Sequence, residues 1–198
     1  MQDPENIRRV AELHPNLMGF IFYNGSPRFV GNNFMMPELA SEIDKVGVFV
    51  NESIENVIEI AVLHELNFVQ LHGDESSGFC EELSQHIAII KAFGVDEDFD
   101  FNITNKYELF CTYFLFDTKT ADHGGSGRIF DWSLLEKYKG SVPYFISGGL
   151  GIEEIEGLNK HFTDPRLYAL DVNSRFETGP GMKDIEKIKQ LTAKTQRR

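Results

Sequence analysis

Seven short, mainly apolar runs recur along the chain, each closed by a polar or glycine-containing turn. A strand with one wet face alternates apolar and polar residues, whereas continuous apolar runs of four to six residues fit parallel strands covered by helices on their faces. The runs predict strands near residues 17–22, 46–50, 68–71, 88–93, 113–117, 144–147 and 167–171. Helical patterns lie between them. Ile54, Val57, Ile58 and Ala61 repeat at i, i+3, i+4 and i+7, and Asp3-Pro4 reads as an N-cap followed by proline at the first helical position of a helix reaching Leu13. A last helix is expected over Asp184–Ala193, giving eight helical candidates around seven strands.

Strand starts fall about 25 residues apart, the size of a minimal βα unit in an eightfold barrel. A doubly wound open sheet would carry a glycine-rich phosphate turn after its first strand. Here the glycine-rich turns follow late strands, at Gly124-Gly-Ser-Gly127 and Ser147-Gly-Gly-Leu150, as in a barrel with its phosphate site after strands seven and eight. The expected architecture is therefore α/β, a single barrel domain over 1–198. Such a barrel opens on a strand and this chain opens on a helix, so the runs correspond to strands two to eight, with the first strand absent from this sequence.

The net charge of −12, from 31 acids against 19 scattered bases, leaves no basic face for nucleic acid or an anionic membrane. An anionic ligand would have to be held by a local device, such as one arginine or a cluster of backbone N–H groups. Cys80 and Cys111 lack C-x-x-C spacing and read as reduced thiols, and no signal segment precedes the first helix, so a cytoplasmic protein is expected. The histidines show no metal-binding spacing, and no metal or cofactor is expected.

Candidate site residues sit where strands end. Asp117 closes an apolar strand, where burial could make its carboxyl a general acid, and Asp171 has the same context; either could instead accept backbone N–H bonds to fix a loop. Arg28, after Ser26-Pro27, could hold a carboxylate bidentately or be an ordinary surface residue. Gly125 and Ser126, Gly148 and Gly149, and Asn173 and Ser174 could form anion-binding turns or flexible loops. His72 alone among the histidines ends a strand near the site, and Asp131 reads as a helix N-cap.

Taken in order, Gly19-Phe-Ile-Phe22 with Ser26-Pro-Arg28, Val46-Gly-Val-Phe-Val-Asn51, Val69-Gln-Leu-His-Gly73, Phe116-Asp117 with Gly124-Gly-Ser-Gly127 and Phe130-Asp-Trp132, Ser147-Gly-Gly-Leu150, and Asp171-Val-Asn-Ser174 with Glu177, Pro180-Gly181 and Lys183-Asp184 resemble phosphoribosylanthranilate isomerase over essentially the whole chain. The resemblance implies a (β/α)8 TIM barrel that isomerises N-(5-phosphoribosyl)anthranilate to 1-(2-carboxyphenylamino)-1-deoxyribulose 5-phosphate in tryptophan biosynthesis, an Amadori rearrangement without cofactor. It implies Asp117 as general acid, Arg28 at the anthranilate carboxylate, and Gly148, Gly149, Asn173 and Ser174 at the phosphate, with Gly125, Ser126 and His72 also lining the substrate. Family members open with a strand ending in Cys-Gly whose cysteine is the general base. Met1 aligns just after it, so the chain as written is expected to lack both strand and base and to be impaired. Two rivals stand beside this reading. Indole-glycerol-phosphate synthase would need lysines at strand ends, and Lys91 is the only strand lysine; a non-catalytic barrel binding a phosphorylated small molecule would account for the absent base.

Overall fold

The computed structural model describes residues 1–119, 131–157 and 163–195. Seven strands form one parallel sheet in chain order: β1 (Leu17–Ile21), β2 (Asp44–Phe49), β3 (Phe68–Leu71), β4 (Ala88–Val95), β5 (Tyr113–Thr118), β6 (Tyr144–Ile146) and β7 (Leu167–Leu170). Every pairing is parallel and between consecutive strands, the topology of a wound β/α barrel rather than of a doubly wound sheet with a switch point. All seven expected strands are present, within three residues at each end.

The side chains divide by strand parity. Val69, Leu71, Phe114, Phe116, Tyr144 and Ile146 pack outward in the largest apolar cluster, while Val46, Ile90, Ala92, Leu115 and Phe145 fill a separate inner one. This two-sided burial is why the strands read as continuous apolar runs. Lys91 is the exception on the outer face, with its side chain 3% exposed. Its Nζ reaches Glu75 Oε2 at 3.0 Å and donates to the carbonyls of Leu71 and Gly73, so the ammonium is fully paired where water is excluded.

Helices α1 (Pro4–Ala11), α2 (Ile54–Leu63), α3 (Ser77–Leu83), α4 (Ile152–Gly157) and α5 (Ile185–Thr195) cover the sheet. The Asp3 carboxylate caps α1 through the Asn6 N–H, as the Asp-Pro start predicts. The expectation of a helix after every strand needs correction. Residues 22–43, with Gly25, Pro27, Gly31 and Pro37, form turns without a helix, since proline removes donors and glycine weakens helical order. After β4 and β5 the chain makes 3₁₀ helices at Phe101–Lys106 and Trp132–Lys137, the latter capped by Asp131 as expected. A short hairpin of β8 (Glu177–Gly179) and β9 (Met182–Lys183) was not expected. Gly181 at φ +79° makes its turn, and the Asn6 side chain pins it to α1 through both the N–H and the C=O of Lys183.

Among the described residues β1 and β7 each pair with one strand of the sheet and not with each other; on its other edge β1 carries the isolated bridge of Ile21 with Phe29. Both nevertheless line the same cavity, so the sheet curls into a barrel with an open position between them. Phe22 N–H donates to Val48 on β2, so by alternation Gly19 and Ile21 turn their backbone groups to the other side, where the Ile21 carbonyl accepts from the Val30 N–H at 3.0 Å and Gly19 faces the opening. The Gly19 carbonyl accepts there from the Met1 amine at 3.2 Å. Burial, then the neighbouring Lys183, push that amine down to about 5, so it is neutral at pH 7 and acts as a peptide N–H would.

Candidate functional site

A cavity of about 500 Å³ runs along the gap between β1 and β7, from Asn16 and Leu167 to the C-terminal ends of the strands. Strand parity delivers its polar side chains: on β3 and its extension Phe68, Gln70 and His72 share the inner face, and on β5 Tyr113, Leu115 and Asp117 do. The structure brings together Arg28, His72, Asp117, Gly148, Gly149, Asn173 and Ser174, all expected from sequence. Gly125 and Ser126, the other two expected binding residues, lie outside the described residues.

Asp117 is the best-defined group. Its Oδ1 accepts the Thr118 N–H at 2.8 Å, and its Oδ2 lies 3.2 Å from His72 Nε2. Behind it, Asp171 accepts a hydrogen bond from the Ser147 hydroxyl at 3.0 Å. Burial first, then the like charge of Asp117, push the Asp171 carboxyl up. Two carboxylates thus share one end of the cavity, and Asp117 is the one with an imidazole against it.

Gly148 and Gly149 adopt φ +88° and +62°. At Gly148 a Cβ would also come within 2.7 Å of Asp117 Oδ1 and 2.6 Å of the Thr118 backbone nitrogen. Gly148→Ala is therefore expected to displace Asp117 as well as the turn, lowering turnover by about tenfold or more and the melting temperature by a few degrees; steady-state kinetics and a thermal melt check both. After Asn173 the chain makes a single 3₁₀ turn, Ser174–Phe176, too short to act as a macrodipole, so anion binding there rests on local donors.

Arg28 is not a loose surface residue. Its Nε and Nη2 clasp Glu177 at 2.9 and 2.7 Å, and Lys183 Nζ lies 3.3 Å from the other carboxylate oxygen. Burial alone raises Glu177, yet the two cations bring it below the usual carboxylate range. Burial depresses Lys183, which also donates to Asn173 Oδ1 at 2.7 Å. Sequence reading gave Lys183 and Glu177 no role, because their partners lie on β9, the β1 loop and the β7 loop, which only the closed hairpin brings together. Lys91 lies outside the cavity lining, on the helix-facing side of β4; the expectation of a single strand lysine needs correction, since Lys45 on β2 and Lys183 on β9 also lie in strands, and of the three Lys183 lines the cavity.

The model of the family described as N-(5′phosphoribosyl)anthranilate (PRA) isomerase matches residues 1–194. The chain belongs to this family. Curated phosphoribosylanthranilate isomerases resemble it throughout: that of Parabacteroides distasonis is 45% identical, covering 96% of this chain and 88% of that protein, and that of Thermotoga neapolitana is 41% identical, covering 93% and 89%. The crystal structure of the Thermotoga maritima phosphoribosylanthranilate isomerase superposes with a TM-score of 0.86 at 33% identity, covering all of this chain and 96% of that one. A phosphoribosylanthranilate isomerase crystallised with reduced 1-(o-carboxyphenylamino)-1-deoxyribulose 5-phosphate gives 0.82 at 30% identity.

Proposed function

We propose that this phosphoribosylanthranilate isomerase family member binds N-(5-phosphoribosyl)anthranilate in the cavity between β1 and β7 and isomerises it to 1-(2-carboxyphenylamino)-1-deoxyribulose 5-phosphate. The observation that carries the reading is the convergence, in one cavity, of Asp117 with its imidazole partner and the turns at Gly148-Gly149 and Asn173-Ser174. Asp117 protonates the furanose ring oxygen; the ring C1′–O bond breaks toward that oxygen and the anilino nitrogen lone pair forms the C1′=N⁺ bond of a Schiff base. A base then takes the C2′ proton, giving the enolamine that tautomerises to the ketose. The family resemblance puts that base on a strand between β1 and β7, where the barrel stands open.

At the other end, Glu177 holds the Nε–Nη2 edge of Arg28 and so orients the guanidinium plane, leaving its remaining N–H donors for the anthranilate carboxylate. Backbone N–H groups of the glycine turns receive the phosphate, as a net charge of −12 requires of a local device. Titration with the reduced product analogue, followed calorimetrically, tests the location. Gly149→Asp adds bulk and like charge at the phosphate end and is expected to weaken binding by about tenfold or more; unchanged affinity contradicts the placement.

A further inference from the structure

Gln70 lies on the inner face of β3, 7% exposed, two residues before His72 and on the same side of the strand. Its amide Nε2 is 2.9 Å from His72 Nδ1, while His72 Nε2 is 3.2 Å from Asp117 Oδ2. We propose that Gln70 is a positioning residue that holds His72 as the neutral Nε2–H tautomer, so that the imidazole donates to Asp117 and does not compete for its proton.

An amide nitrogen offers hydrogens alone, so Nδ1 must accept and the neutral ring carries its hydrogen on Nε2. The second contact fits the same tautomer in the ionised form of Asp117, because a carboxylate accepts. The main chain is clamped from the other side of the sheet: Lys91 Nζ holds the carbonyls of Leu71 and Gly73 at 3.1 and 2.7 Å, and Glu75 takes the Gly73 N–H at 3.0 Å. The imidazole is thus fixed by its backbone on the outer face and by Gln70 on the inner one.

The consequence depends on the role proposed above for Asp117. As the carboxyl proton passes to the substrate ring oxygen, charge develops on the carboxylate, where the Thr118 N–H at Oδ1 and the His72 N–H at Oδ2 already point. No proton leaves His72. In the opposite tautomer Nε2 would present a lone pair to Asp117 and draw its proton away from the substrate.

The test is long-range ¹H–¹⁵N correlation of His72 in the ¹⁵N-labelled chain. A protonated Nε2 with an unprotonated Nδ1 is expected; a protonated Nδ1 with a bare Nε2 overturns the proposal whatever the activity. Gln70→Glu replaces the donor by an acceptor and should place hydrogen on Nδ1. It should lower kcat by about tenfold with KM within about twofold, since general acid catalysis as a whole contributes about 10²–10⁴. Gln70→Met keeps the volume and should give mixed tautomers, which covers the case in which the glutamate variant folds poorly. In a His72→Asn background Gln70→Glu should have no further effect on kcat; a persisting loss would assign Gln70 a merely structural role. The kinetic constants are measured in the chain joined to a strand ending in Cys-Gly, and its turnover of N-(5-phosphoribosyl)anthranilate reports separately on the proposed function, since the tautomer is read without substrate.

Discussion

Asp117→Asn is expected to reduce isomerisation by about 10²–10⁴-fold while leaving affinity for the reduced product analogue within about threefold. The amide keeps the shape of the carboxyl and its contact with the Thr118 N–H, but it has no acidic proton to deliver to the ring oxygen. The comparison belongs in a chain carrying an N-terminal strand ending in Cys-Gly, so that the base is supplied and loss of the acid alone is read. Asp171→Asn serves as the control. Its carboxyl lies beside Asp117 and is pushed up by burial, but it accepts from the Ser147 hydroxyl, whereas Asp117 has the imidazole against it. A larger loss at Asp171 than at Asp117 would exchange their assigned roles.

The second large effect concerns the opening between β1 and β7. In a polypeptide started at Met1, the Met1 amine donates to the Gly19 carbonyl as one strand N–H would. Its folded-state value of about 5 lies below the ordinary 8.0, so between these limits the unfolded chain binds more protons than the folded one. Stability therefore rises with pH across pH 5 to 8 and is lost as the pH falls through that window, by at most on the order of 4 kcal/mol. An extended apolar segment of roughly five or six residues joined to Met1 would turn the amine into an amide and pair both sheet edges. It is expected to abolish this pH dependence. New ladder bonds at about 1 kcal/mol each, together with apolar burial, outweigh the ordering of the segment. A net gain of a few kcal/mol corresponds to a rise of roughly 10 °C in the melting temperature for a chain of this size. Denaturant titrations of both chains at pH 5, 6.5 and 8 check the effect; identical pH profiles would show that the Met1 amine is not buried in solution.

The strands were legible because burial on both faces leaves an unmistakable run, and the rim residues because barrel chemistry sits where such runs end. Asp117, His72 and the glycine turns could be named from that rule alone. What could not be read is contact across units. Nothing local marks Gln70 as a partner of the His72 ring, since a glutamine inside a strand looks like an ordinary polar interruption. The Arg28–Glu177–Lys183 network joins residues about 150 positions apart through a hairpin too short to carry a periodic signal. Where helices are expected after β4 and β5, the described residues form 3₁₀ segments, Phe101–Lys106 and Trp132–Lys137, whose Phe101 and Leu135 are buried in the large apolar cluster.

The proposed conversion of N-(5-phosphoribosyl)anthranilate in the cavity between β1 and β7 depends on Asp117. The most direct measurement follows the loss of substrate fluorescence with time in the chain bearing the added Cys-Gly strand, beside its Asp117→Asn variant. Rapid loss in the former, and a rate lower by at least about 10² in the latter with analogue binding intact, is the predicted result. Equal rates in the two, or no loss in a folded chain that binds the analogue, would contradict it.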